Sequence, residues 1–105
     1  MIKDINDITE FQQIEQQKDT FTLLKHSLTC PISAAANQAF ENYSKNSDKQ
    51  LYRLKVQTSR ELSNYVAKKY DIKHESPQVL KIESNKVTWD ASHYDITEDS
   101  LHDNL

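Results

Sequence analysis

The chain has 105 residues, 28% of them charged and 36% hydrophobic, with a formal net charge of −3, which suits one small layered domain (1–105) with a strongly polar surface. No apolar run approaches the roughly 20 residues of a membrane span, and no apolar h-region opens the chain. Lys and Arg occur singly or in pairs such as Lys68-Lys69, so no basic stripe offers itself to nucleic acid, and a solitary cysteine without a disulfide framework points to a reducing compartment, the cytoplasm.

Taken in chain order, Ile2 to Ile5 predicts a short strand. Asp7 or Thr9 then offers an N-cap for a helix whose apolar positions Ile8, Phe11 and Ile14 follow helical spacing. Phe21 to His26 predicts a second strand, and the adjacent pair Leu23-Leu24 implies burial on both faces at its centre. Pro31 suits a first helical position, Ala34, Ala35, Ala36 and Ala39 favour the helix that follows, and Ala36, Phe40 and Tyr43 share one of its faces. Lys45-Asn46 makes its end.

Leu51 to Val56 alternates, with Tyr52, Leu54 and Val56 on one face and Arg53 and Lys55 on the other, as in a strand nearer the sheet edge than that at 21–26. Thr58-Ser59-Arg60-Glu61 matches a capping box ahead of a helix buried through Leu62, Tyr65, Val66 and Tyr70. Val79 to Glu83 and Lys86 to Ala91 flank Ser84-Asn85 as a hairpin. Thr97 caps a last helix, with Ile96 and Leu101 spaced for a hydrophobic staple. The chain contains no glycine, so Asn46, Asn85 and Asp71 are the expected residues of positive φ. The order β-α-β-α-β-α-β-β-α, with no repeat or linker, defines an α/β fold.

The chemistry centres on Cys30, the only cysteine, in Thr29-Cys30-Pro31-Ile32-Ser33 between a strand and a helix. A thiol at the first turn of a helix feels its positive end, which favours the reactive thiolate. Ser33, three residues on, is expected to face Cys30 across that turn, where its hydroxyl can donate to the thiolate but cannot attack a disulfide. Ser76-Pro77 precedes a strand, where a cis peptide bond would mark a binding surface. With no second cysteine, Cys30 can exchange only with a sulfur brought by another molecule.

Strand, Cys-Pro-x-Ser at a helix start, Ser-Pro ahead of a hairpin and a closing helix together resemble the thioredoxin superfamily. More narrowly, Lys25 to Ala35, His74 to Leu80 and Trp89 to His93 closely resemble the monothiol bacilliredoxins, over about Phe21 to Thr97. Ser84-Asn85 stands where that family usually has Asn-Gly, which puts the turn type in question, and Asp90 stands where it often has His. The resemblance implies a thioredoxin-like, three-layer α/β/α fold around a mixed sheet of about five strands. It also implies a monothiol thiol–disulfide oxidoreductase that removes bacillithiol, a low-molecular-weight thiol co-substrate, from S-bacillithiolated cytoplasmic proteins. Cys30 would be the nucleophile and Ser33 its hydrogen-bond donor. Thr29 and Pro31 would shape the turn and, with Ile32, belong to the thiol-binding site, Ser76 and Pro77 would line its groove, and His93 would lie near Cys30 and touch the ligand's carboxylates or tune the thiol.

Other readings compete. A lone cysteine is often an inert packed residue, Ser33 can be an ordinary helix-start serine, and most prolines are trans. His26, His74, His93 and His102 lack metal-ligand spacing, so no metal is expected. Cys30 with His93 as a hydrolase pair lacks an evident third residue. A thioredoxin-like adaptor with a non-catalytic cysteine stays open. So does a monothiol glutaredoxin-type iron–sulfur carrier, although that class typically has Gly-Phe where this chain has Pro31-Ile32. A monomer is expected, since nothing in the sequence demands a dimer.

Overall fold

A computed structural model describes residues 1–105. Its elements are β1 (Ile2–Asp4), α1 (Ile8–Gln17), β2 (Thr20–His26), α2 (Pro31–Lys45), β3 (Leu51–Lys55), α3 (Arg60–Lys69), β4 (Gln78–Glu83), β5 (Lys86–Ser92) and α4 (Glu98–Asn104), with a 3₁₀ turn at His93–Asp95. The strand order is β1-β3-β2-β4-β5. β1 and β2 run parallel to β3, whereas β4 is antiparallel to both β2 and β5. The architecture is thus α/β with a mixed five-stranded sheet, in the expected element order.

β2 holds the centre, and its adjacent leucines go to opposite faces. Leu23 joins Phe11, Phe21, Leu54, Leu62 and Val66 in the core under α1 and α3. Leu24 joins Ala36, Phe40, Val79 and Leu101 in the core under α2 and α4. Small residues such as Ala36 let α2 lie close to the sheet. Tyr52 and Leu54 on β3, and Val56 directly after it, face the first core as their alternation requires. β3 lies one strand in from the edge, which β1 occupies, and Arg53 is folded inward: it holds Asp4 at 2.7 Å, Asn37 at 2.8 Å and Glu41 at 3.1 Å, joining β1, β3 and α2. No helix is long and apolar enough to cross a membrane.

Without glycine, other residues take positive φ. Asp71 (φ 50°) follows α3, where Ile72 N–H reaches Ala67 O and Asp71 N–H reaches Lys68 O, a Schellman ending with aspartate in glycine's usual place. Ser84 (50°) and Asn85 (66°) are both positive, as a type I′ hairpin turn requires, which answers the question raised by the missing Asn-Gly. His93 (54°) is the fourth. Asn46 is not among them: its φ is −106°, because α2 ends in a tightened turn with Asn46 N–H bonded to Tyr43 O.

The capping expectations divide. Asp7 rather than Thr9 caps α1, accepting from Glu10 N–H at 2.8 Å. Thr97 and Ser100 form a reciprocal capping box on α4, and the flanking Ile96 and Leu101 are both buried in the same core. The box expected over Thr58–Glu61 does not form. Ser59 occupies the N-cap but makes no side-chain cap bond, and its buried hydroxyl has no partner. Thr97→Ala should therefore cost about 1 kcal/mol in urea denaturation, whereas Ser59→Ala should cost nothing measurable. Equal losses for the two variants would contradict this assignment.

Candidate functional site

The pairing register gathers the candidate residues at one end of the sheet. Lys25 lies opposite Gln78, and Gln78 opposite Ser92, so the end of β2, the start of β4 and the end of β5 coincide. The turn carrying Cys30, the Ser76-Pro77 loop and His93 leave from those three strand ends.

Cys30 occupies the N-cap of α2 in extended conformation (φ −103°, ψ 122°), with Pro31 at the first helical position. Its carbonyl accepts the first helical bond, from Ala34 N–H at 3.0 Å. The thiol is free and half-buried, while Thr29 and Pro31 are exposed and Ile32 is half-buried. Ser33 is fully buried. Its hydroxyl accepts from Ser27 N–H at 2.8 Å and lies 2.8 Å from His26 Nδ1; neither partner is the Cys30 sulfur.

Gln57, just past β3, holds the approach to Cys30 from the other side. Its Oε1 accepts from Leu28 N–H at 3.0 Å, and its Nε2 donates to Ser27 Oγ at 2.8 Å and Thr29 Oγ1 at 3.4 Å. Nothing in the sequence singles out Gln57, since a glutamine after a strand is an ordinary loop residue.

The Ser76-Pro77 peptide bond is cis. Pro77 is buried, and the buried Ser76 hydroxyl has no hydrogen-bond partner. His93 is brought to this loop: its N–H donates to Pro77 O at 3.1 Å, and its Nε2 lies 3.6 Å from Glu75 Oε2. The 3₁₀ turn that begins at His93 packs against α2. None of the surface cavities is lined by Cys30, Ser76, Pro77 or His93, and the largest, about 490 Å³, lies between the starts of α1 and α3.

Beneath the loop sits a buried charge. Lys25 is fully buried on β2, and its Nζ donates to Ser63 O at 3.0 Å and contacts His74 Nδ1 at 3.2 Å. Burial pulls its ammonium down to about 8. Burial, with the Lys25 cation next in weight, also pulls His74 below the usual histidine range. His26 is lowered by burial first and then by Arg53 and Lys55. Lys25 thus tethers the segment leading to Pro77 to both the central strand and α3. A lysine directly after Leu23-Leu24, in a strand buried on both faces, was the available signal for it.

Comparison with known proteins agrees with this geometry. The family model "Monothiol bacilliredoxin BrxC" matches residues 3–101, and the chain belongs to that family. Among solved structures, a thioredoxin-fold protein proposed to be an oxidoreductase is 38% identical, with a TM-score of 0.90 over 97% of this chain and 91% of its own. A Schistosoma mansoni thioredoxin is similar in fold alone, at 14% identity and TM-score 0.76, over 97% of this chain and 90% of its own. Spinach chloroplast thioredoxin f is likewise similar in fold, at 15% identity and TM-score 0.73, over 97% and 88%. The protein is therefore a thioredoxin-fold member of a monothiol redox family.

The buried lysine has a measurable consequence. Unfolded, Lys25 keeps its proton up to about 10.5, whereas folded it releases it at about 8. Between those values the unfolded chain binds more protons, so stability rises with pH, and the penalty is fully present below about 8. The urea midpoint of the wild type should rise between about pH 7.5 and 9.5. That rise should be absent in Lys25→Met, and a flat wild-type profile would contradict the assignment.

Proposed function

We propose that this protein removes bacillithiol from S-bacillithiolated cytoplasmic proteins, with Cys30 accepting the bacillithiol as a mixed disulfide. The observation that carries the reading is a single free, half-buried thiol capping α2 in a chain of the monothiol bacilliredoxin family. No second cysteine can intercept the adduct.

In the first step the Cys30 thiolate attacks the bacillithiol sulfur of the client's mixed disulfide. The Cys30–bacillithiol S–S bond forms as the client's bond breaks, and the electron pair leaves on the client sulfur, which takes a proton from water. The client cysteine is reduced and Cys30 is oxidised. A second thiol, either bacillithiol or a protein thiol, then attacks the bacillithiol sulfur of the adduct as its thiolate; a disulfide forms between the two, and the electron pair returns to the Cys30 sulfur, which is reduced.

The residues around Cys30 suit a small polar thiol. Ser76 carries an unpartnered, buried hydroxyl beside Pro77, so its backbone is the part this reading offers to the ligand. In this reading the Ser76 backbone and Pro77 line the groove, Thr29, Pro31 and Ile32 shape the turn, and His93 meets the carboxylates of bacillithiol. Ser33, whose hydroxyl meets Ser27 N–H and His26 Nδ1 in the resting structure, is the hydrogen-bond donor assigned to the thiolate in this reading. The protein acts as a monomer on clients that reach the open end of the sheet.

The reading is tested by following the free thiol of a bacillithiolated client. Wild-type protein should release it, with turnover that depends on added bacillithiol, and Cys30→Ser should release none. Equal release by both would contradict the proposal. Ser33→Cys should divert the product to an internal disulfide between Cys30 and the introduced thiol; accumulation of the mixed adduct alone would show that position 33 does not face the thiol.

A further inference from the structure

We propose that His74 is the positioning residue of the loop that carries Ser76 and Pro77, latching it through an unprotonated Nδ1 shared by Lys25 and Ser63, and that acid opens this latch. The inference rests on the reading above only in giving that loop to the thiol-binding groove.

The latch is a closed set of polar groups. Lys25 and Ser63 are both fully buried. Lys25 Nζ donates to Ser63 O at 3.0 Å and lies 3.2 Å from His74 Nδ1, while Ser63 Oγ lies 3.3 Å from the same nitrogen. An ammonium has donors only. While Lys25 is charged, Nδ1 must therefore accept, which places the ring proton on Nε2. The Ser63 hydroxyl makes no other hydrogen bond, so its hydrogen also turns to Nδ1.

The second anchor of this segment does not titrate. Gln78, buried on β4 opposite Lys25, gives its Nε2 to Lys73 O at 3.0 Å and takes Glu75 N–H on its Oε1 at 3.4 Å. His74 lies between those two bonds, and its ring is the contact with the core that a proton can break. Farther along, Pro77 O accepts from His93 N–H at 3.1 Å.

The charges around the ring favour its neutral form. Lys25 bears on it from β2 and Arg60 from α3, with Glu75 of its own loop opposing them. Glu75 is shared, 3.5 Å from Lys73 Nζ and 3.6 Å from His93 Nε2. A protonated Nδ1 can only donate, and it would set a second cation 3.2 Å from the Lys25 ammonium. His74 is exposed at the surface, so solvent supplies the proton. Undocked, the ring titrates near 6.5, whereas burial and then Lys25 hold the docked ring lower. Below about 6.5 the undocked state binds the additional proton, so docking weakens as pH falls.

Amide hydrogen exchange reads the latch in the protein alone, with His93 N–H as reporter because it bonds Pro77 O. After correction for intrinsic exchange, its protection in the wild type should fall about tenfold from about pH 7 to about pH 5, the worth of one hydrogen bond to a charged group, while amides of β2 keep theirs. His74→Asn places an oxygen where Nδ1 stands and cannot be protonated, so it should hold the neutral-pH protection throughout. His74→Leu should show the low protection at both pH values. All three chains keep Glu75 and His93, so titration of those groups does not separate them. Nitrogen chemical shifts of His74 should show the proton on Nε2 at neutral pH. A flat wild-type profile, an equal fall in His74→Asn, or a proton on Nδ1 would overturn the inference. These readouts use no bacillithiol, so failure here is distinguishable from failure of the exchange reaction.

Discussion

The Ser27 N–H bond to the Ser33 hydroxyl closes the end of β2 onto the first turn of α2, and the position of Cys30 depends on that closure. β2 is held on both sides, by β3 in parallel and β4 in antiparallel pairing, so its end is a fixed point. The residues between that end and α2 make few bonds within their own segment. Their N–H groups at Ser27 and Leu28 go instead to the side chains of Ser33 and Gln57. A turn whose backbone donors are met by side chains from two other places has little freedom to move the thiol it carries.

The same end of the sheet concentrates polar groups that a purely stabilising design would avoid. Lys25 stands on the central strand where a leucine would pack, yet its ammonium binds Ser63 O and His74 Nδ1 rather than water. Burying an amine in this way destabilises the charged form, and the partners offset only part of the penalty. What is obtained in return is position: β2, α3 and the loop before Pro77 are tied at one atom. Arg53 acts comparably on the other face by joining β1, β3 and α2. The loop before Pro77 is therefore pinned from below by a buried cation, Lys25.

Much of this was legible in the sequence because its signals are local. The pair Leu23-Leu24 announced a strand buried on both faces, Thr97 a cap, and Cys30-Pro31 a helix start, and each is an intrinsic preference that tertiary packing reinforced. The failures arise where packing overrode a local preference. Thr58–Glu61 carries the letters of a capping box, but the Ser59 side chain is buried and makes no cap bond. Ser84 accepts left-handed backbone that a statistical reading reserves for residues such as Asn, Asp and Gly, and His93 takes it at a position where the sequence offered no turn signal. Gln57 and the His26–Ser33 contact had no signal at all, since each depends on residues from separate segments meeting at one strand end. Spacing along the chain cannot show that a hydroxyl expected to serve Cys30 is already engaged by a histidine from the preceding strand.

The central claim is that the solitary thiol is the point of transfer. Intact-mass measurement after a single turnover with an isotopically labelled bacillithiol adduct on a client protein addresses it most directly. The label should appear on this chain as one bacillithiol, mapped to Cys30, in step with release of the client thiol. Client release with no label on the chain, or label retained by Cys30→Ser, would contradict it.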